Sequence, residues 1–306
     1  MKIGLVNLDT SHPLAWLPLV RALGHEIAGV YDDGSVHPSA YAGDFARRHG
    51  IPRVFGDLEE MAGAVDCAFL HACDWDRHVG AAEPFVRAGR SVLVDKPLAG
   101  NHADLEKLRT WIDAGARITG GSALRFAREI TDWRARPVHL RGDAHTVFCG
   151  CGVDGFNYGI HAFTMACAIL GPGARAVRHL GDGPQACFEV VWNDGRRALV
   201  AVGGDSDEWL PFYATLVTDR TVIHLQPDPA LLYQKFLARV LPWLARETDL
   251  APCATDELLA PEFLALAGRQ SRAEGGATIS PDDRTTSPAF DGGAFVRLYR
   301  GNKYGT

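Results

Sequence analysis

The sequence lacks a hydrophobic run of about 18 residues, the length needed to cross a bilayer as a helix. It also lacks any Lys/Arg run. With 31 Lys plus Arg against 37 Asp plus Glu, the 306-residue chain carries a formal charge of −6. A mildly acidic chain has no basic face for phosphate backbones, which argues against nucleic-acid binding. No repeat and no low-complexity segment is present. The opening MKIGLVNLDTSH has too short an apolar run, and too early an Asp, for a signal peptide. Cysteine is sparse: seven residues, an odd number, several within apolar runs. Free, mostly buried thiols in a reducing cytoplasm are the expectation. Cys149 and Cys151 have no second pair nearby, so no metal site is assigned. Most telling is a missing glycine. After the first apolar run the chain reads Asn7-Leu8-Asp9-Thr10-Ser11-His12, without the glycines of a dinucleotide-binding fingerprint.

What is present is ordinary globular material, 47% hydrophobic and 22% charged, with length for about two domains. Residues 1–122 alternate between strand-like and helix-like stretches. Strands are predicted at Lys2–Asn7, Glu26–Tyr31, Arg53–Phe55, Cys67–Ala72, Ser91–Val94 and Arg117–Gly120. Helices are predicted at Leu14–Leu23, with Pro18 kinking it or delaying its start, and at Tyr41–His49, Leu58–Ala64, Arg77–Ala88 and Ala103–Ala114. This pattern implies a Rossmann-type, doubly wound parallel sheet with right-handed crossovers. Ligands of such sheets bind beyond the carboxyl ends of the strands.

Residues 123–275 read differently, as an α+β domain with an open antiparallel sheet. Strands are predicted at His139–Val147, Cys187–Trp192, Arg197–Val202, Tyr213–Thr218 and Thr221–Leu225, with Asn193-Asp194-Gly195 and Asp219-Arg220 as tight turns. Helices are predicted near Ile160–Leu170, Pro229–Arg246 and Thr255–Ala273. The aromatic groups Trp209/Phe212/Tyr213 and Phe236/Trp243 read as core or subunit interface. Residues 276–306 read as an irregular C-terminal arm with a strand-like stretch at Phe295–Gly301, docking onto its own catalytic crevice or a neighbour's.

Two motifs stand on these elements. Asp95-Lys96-Pro97 ends a strand, and Asn157-Tyr158-Gly159-Ile160-His161 opens a helix. With Leu124-Arg125-Phe126 and with His78 after Cys73-Asp74-Trp75, they resemble the glucose–fructose oxidoreductase / inositol dehydrogenase / rhizopine-catabolism family, whose motifs are Glu-Lys-Pro and Asp-x-Gly-x-His. The Leu-Asp-Thr-Ser-His loop marks a divergent branch. The resemblance implies an NAD(P)-dependent oxidoreductase acting on a hydroxyl or carbonyl of a small polar substrate such as a sugar or cyclitol. It implies a homo-oligomer, dimer or tetramer, with Lys96 and His161 moving the hydroxyl proton. Asn157 replaces the family's acid and cannot take up a proton.

Thr10 and Ser11 are helix-capping residue types, and a helix N-terminus offers N–H groups to a diphosphate. Asn7, Leu8, Asp9, Thr10, Ser11 and His12 are thus candidate cofactor contacts, and the resemblance adds Cys73, His78 and Pro97. Asp32, at the end of the second strand, is placed to accept the ribose hydroxyls and to repel a 2′-phosphate, favouring NAD over NADP. Arg125 and Tyr158 are candidate substrate contacts, Arg125 as a clamp on a carboxylate or phosphate. His71 ends a buried strand beside the same crevice. Two alternatives stay open: a non-redox enzyme (elimination, isomerisation or hydrolysis) on this fold, with no cofactor turnover, and a non-catalytic ligand-binding protein.

Overall fold

The computed structural model describes residues 1–203, 210–283 and 288–304, which leaves Trp209 outside the described residues. Its first sheet is built from β1 (Lys2–Val6), β2 (Glu26–Tyr31), β3 (Cys67–Leu70), β4 (Ser91–Val94) and β5 (Ile118–Gly120). All pairs are parallel, in the order β2-β1-β3-β4-β5. Every residue of β3 and β4 is buried, the mark of strands covered on both faces. Ile3, Phe69, Leu70 and Leu93 are fully enclosed, each worth about 1.5–3 kcal/mol of transfer free energy. The strand order reverses between β1 and β3, which opens a ligand crevice at their carboxyl ends. The predicted strand at Arg53–Phe55 shrinks to one bridge, Val30 to Val54. Helix His12–Ala22 runs unbroken through Pro18, whose exposed position leaves the orphaned carbonyl to water.

This sheet belongs to a unit formed by Met1–Gly121, Leu237–Cys253 and Asp291–Thr306. The middle segment is tied in by main-chain carbonyls. Ser91 Oγ donates to Leu244 O at 2.8 Å, and Arg117 donates to Trp243 O at 2.6 Å and Thr248 O at 3.0 Å. The last segment carries a helix, Gly292–Tyr304, where the sequence suggests a strand-like end to an irregular arm. Glycine at 292, 293 and 301 obscures its periodicity.

The second unit comprises Ser122–Phe236 and Ala254–Phe290. Its sheet contains β6 (Ala144–Cys151), β7 (Ala174–Asp182), β8 (Ala186–Trp192), β9 (Arg197–Val202), β10 (Tyr213–Thr218) and β11 (Val222–Leu225), ordered β11-β10-β6-β9-β8-β7. The sheet is antiparallel except where β6 runs parallel to β9. That pairing follows from helix Gly159–Leu170 and the β7–β8 hairpin intervening between the two strands. Strands β8, β9 and β10 alternate buried and half-exposed residues, so one face is covered and the other open. The predicted strand start at His139 moves to Ala144, because Pro137 opens a helical turn at Val138–Arg141. Strand β7 escapes sequence reading: it is a sheet edge, mostly exposed, with few apolar residues.

Candidate active and cofactor site

The site in the first unit is built on the loop that follows β1. Asn7 adopts a left-handed backbone, φ 61°, which Asn tolerates better than most residues. Its N–H donates to Tyr31 O at 2.7 Å. That bends the chain over the end of β2, where Asp32 Oδ2 accepts from Leu8 N at 3.0 Å and Oδ1 from Gly34 N at 2.9 Å. Asp32 therefore fixes the loop from the end of β2. Leu8 is buried. Thr10 Oγ1 accepts from His12 N at 3.2 Å. Ser11, at the N-cap position, makes no side-chain cap bond, so only Thr10 fills the capping role expected of the pair.

Asp9 is the unusual member. It is fully buried, its Oδ2 accepting from Cys73 N at 2.9 Å while Oδ1 has no hydrogen-bond partner among the described residues. Burial, joined by the charges of Asp32 and Asp33, raises its pKa to about 7 against the hydrogen bond from Cys73. Burial likewise pushes the Cys73 thiol up. That suits an inert buried thiol rather than a nucleophile.

The carboxyl end of β4 supplies Asp95-Lys96-Pro97. Asp95, buried, is shared between two histidines: Oδ2 lies 2.6 Å from His12 Nδ1 and 3.1 Å from His71 Nδ1. Burial alone would push this carboxyl up. The charge and hydrogen bond of His12, then those of His71, outweigh it and hold Asp95 well below the usual carboxylate range. Burial lowers His71, with Asp95 opposing. His12 stacks on Trp16 at 5.1 Å, and Trp16 meets His71 edge-on at 5.0 Å. One donor atom from each of His12, His71 and Asp95 lies within 4.8 Å of the others. Asp95 Oδ1 accepts from Lys96 N at 2.7 Å, so the acid of the motif anchors the lysine's backbone to the first loop. Lys96 is half-buried and Pro97 buried. His78 is buried, with Nδ1 3.1 Å from Leu98 O and Nε2 2.9 Å from Ala72 O. It pins the segment after Pro97 to the end of β3.

In the second unit, His161 lies in the first turn of helix Gly159–Leu170, its Nδ1 2.6 Å from Ser122 Oγ. Phe212 and Tyr158 meet its ring edge-on at 4.9 and 5.8 Å. Asn157 Nδ2 donates to Asp154 Oδ2 at 3.4 Å, and Asp154 Oδ1 accepts from Phe156 N and Tyr158 N at 2.9 and 3.1 Å. The carboxylate missing at 157 thus appears three residues earlier, folded back as a loop cap. Burial, then Asp154, raises the Tyr158 phenol. Arg125, expected as a substrate clamp, is turned toward the protein's own main chain. Its guanidinium is buried and donates to the carbonyls of Glu257 and Leu258 at 2.5 and 3.1 Å. It braces the start of helix Thr255–Ala273.

Sequence reasoning passed over Ser122, Asp154, His37 and Lys303. His37 Nε2 lies 2.9 Å from Leu8 O, and Lys303 Nζ donates to Asp9 O at 2.9 Å. Asp154, three residues before Asn157, had a usable signal; the last two are long-range contacts without one.

The residues around loop 7–12 fit a dinucleotide. Asp32 stands at the end of β2, the buried Asn7 Nδ2 has no hydrogen-bond partner among the described residues, and an ammonium lies against the loop.

Comparison with known proteins agrees. Residues 3–117 match a family described as oxidoreductases with an NAD-binding Rossmann fold. The trans-1,2-dihydrobenzene-1,2-diol dehydrogenase of Oryctolagus cuniculus is 37% identical over 68 residues, 22% of this chain and 21% of that protein. The Homo sapiens enzyme of the same name is 27% identical over 110 residues, 35% of this chain and 30% of that protein. The chain thus matches less than a third of the length of these relatives. The structure of myo-inositol dehydrogenase from Lactobacillus casei, solved with NAD(H) and myo-inositol, superposes with TM-score 0.76 at 13% identity, covering 94% of this chain and 98% of that one. At that identity the likeness is one of fold. Residues 3–117 are thus similar to the NAD-binding domain of that oxidoreductase family, and the chain shares its fold with the inositol dehydrogenase structure.

Proposed function

We propose that the protein is an NAD-dependent dehydrogenase acting on a hydroxyl or carbonyl of a small polar substrate, a sugar, cyclitol or diol. The observation that carries this reading is the carboxyl edge of the parallel sheet, where loop Asn7–His12, Asp32 and Asp95-Lys96 are bound to one another. Asn7 to His12, Asp32 and the segment held by Cys73, His78 and Pro97 would hold the dinucleotide. When bound, its nicotinamide supplies the hydride acceptor or donor. Asp32 keeps a carboxylate at the ribose edge, which supports NAD over NADP.

Lys96 holds the reacting oxygen and passes its proton as the hydroxyl becomes a carbonyl. Its backbone is fixed by Asp95, itself held ionised by two histidines. His161 is the second proton-handling group, oriented through Nδ1 by Ser122 and flanked by the rings of Tyr158 and Phe212. Asn157 orients substrate and Tyr158 lines its site. The open face of the second sheet supports a homo-oligomer that buries it. No helix among the described residues is long and apolar enough to cross a membrane.

The test is a titration with NADH and NADPH followed by tryptophan fluorescence, then a panel of polyols, sugars and diols read at the nicotinamide absorbance. NADH binding at micromolar concentration, and turnover that Lys96→Met cuts at least a hundred-fold in kcat with cofactor binding intact, is the expected result. A fully active Lys96→Met enzyme, or no binding of either nucleotide, would overturn it.

A further inference from the structure

The helix Gly292–Tyr304 takes no part in the proton chemistry above, yet its two ends lie on the cofactor loop and its neighbour. At its start, Gly292 N donates to Asp76 Oδ2 at 2.9 Å, and Phe295 lies against Trp75 at 5.1 Å. At its end, Lys303 Nζ donates to the main-chain oxygen of Asp9 at 2.9 Å and sits 3.3 Å from His37 Nε2. The His37 ring is already spoken for. Its Nε2 donates to Leu8 O at 2.9 Å, and its Nδ1 lies 2.5 Å from the Tyr304 hydroxyl, which donates to it. Tyr41 stacks on its face at 3.6 Å. Because His37 Nε2 is a donor, its approach to Lys303 is a contact and not a hydrogen bond. Among the described residues the ammonium therefore has one acceptor, which leaves two further N–H groups for a ligand.

The loop it touches is poorly made for an anion on its own. A glycine-rich loop offers uncharged backbone N–H groups at close range. Here Leu8 N is taken by Asp32 and Cys73 N by Asp9, and the acidic side chains of Asp9 and Asp32 both act on the ammonium beside the loop. A diphosphate there would meet the negative charge of Asp32, and that of Asp9 once it has lost its proton. Lys303 is the cation that reverses this balance. Burial lowers its pKa, while Asp9 and Asp32 act to keep it charged. A segment that merely blocked the site would bring an apolar or acidic side chain, not an ammonium with donors to spare.

We propose that Lys303, delivered by the C-terminal helix, binds the diphosphate of the nicotinamide dinucleotide and stands in for the glycines that loop Asn7–His12 lacks. The inference rests on the dinucleotide site proposed above.

The experiment is calorimetric titration of the full-length protein, as wild type, Lys303→Met and Lys303→Arg, with NADH and with ADP-ribose, each at low and high salt. Lys303→Met is expected to weaken both ligands ten-fold or more and to flatten the loss of affinity with salt. Lys303→Arg is expected to stay within a few-fold of wild type, a guanidinium being an equal phosphate partner. Melting temperatures of the unliganded proteins should coincide. Unchanged ADP-ribose affinity and salt dependence in Lys303→Met would overturn the inference and leave the dinucleotide site standing. Tighter binding in Lys303→Met would overturn it too, and would make the helix a plug. Wild-type protein that binds neither ligand would remove the dinucleotide reading, and this inference with it.

Discussion

Asp9 combines an acidic side chain with complete burial in the first loop. A carboxyl raised from its ordinary value to about 7 keeps its proton in the fold and loses it in the unfolded chain. Stability from this group is therefore fullest below the free carboxyl pKa, falls as pH rises to about 7, and levels off above. At 1.36 kcal/mol per unit, the loss is on the order of 4 kcal/mol. Asp9→Asn keeps an acceptor for Cys73 N and supplies a donor where Oδ1 has none, so it should melt a few degrees above wild type at pH 8 and close to it at pH 5. Equal pH dependence in the two proteins would refute the assignment. The same titration bears on ligands. With Asp32, Asp33, Cys73 and Lys303 the groups acting on Asp9 or its loop, NADH affinity should fall between pH 6 and 8 in wild type and stay flatter in Asp9→Asn. Asp95 has the opposite sign. Held low by His12 and His71, it stabilises the fold above the unfolded carboxyl pKa, and that contribution is lost only as pH falls through its own lower value. Asp95→Asn should cost about 3–5 kcal/mol, as the loss of one partner in a buried charged pair does. A chemical-denaturation midpoint would show it.

At the scale of elements, two glycines mark where backbone must approach closely. A Cβ at Gly120, at the end of β5, would lie 1.8 Å from Val94 O, and the residue's φ is +146°. Gly120→Ala should destabilise the first unit by roughly 3 kcal/mol or more, the scale of strain at a special backbone position, read as a lowered melting temperature. A Cβ at Gly292 would meet Asp74 Oδ1 at 2.4 Å and Trp75 N at 3.0 Å. Gly292→Val should therefore loosen the C-terminal helix, seen as faster amide exchange over 292–304 with the core unaffected. Most elements were legible in the sequence because their signals are local. Buried apolar runs gave β1, β3 and β4; Asn193-Asp194-Gly195 gave the β8–β9 hairpin; Asp95-Lys96-Pro97 marked the end of β4. What escaped depends on distant chain. Strand β7 is an edge whose alternation is blurred by arginines and a histidine. Arg125 reads as a clamp until helix Thr255–Ala273 brings it two carbonyls. Lys303 and His37 stand 266 residues apart, and no periodicity links them.

At the scale of the whole molecule, the chain leaves and re-enters the first unit, which is completed by Leu237–Cys253 and Asp291–Thr306. Residues 1–121 expressed alone would lack the carbonyl partners of Ser91 and Arg117. That fragment should give a broad, non-cooperative melt or aggregate, whereas the full chain melts sharply; a cooperative fragment would contradict this division. Proteins are made from the N-terminus, and domains ordinarily fold as they emerge. Here the residue that meets Asp9 lies 294 residues further along the chain. A nascent chain can begin the parallel sheet first, but the loop after β1 acquires that contact only once residue 303 has been made. A chain cut short before that point would carry the loop without the ammonium that meets it.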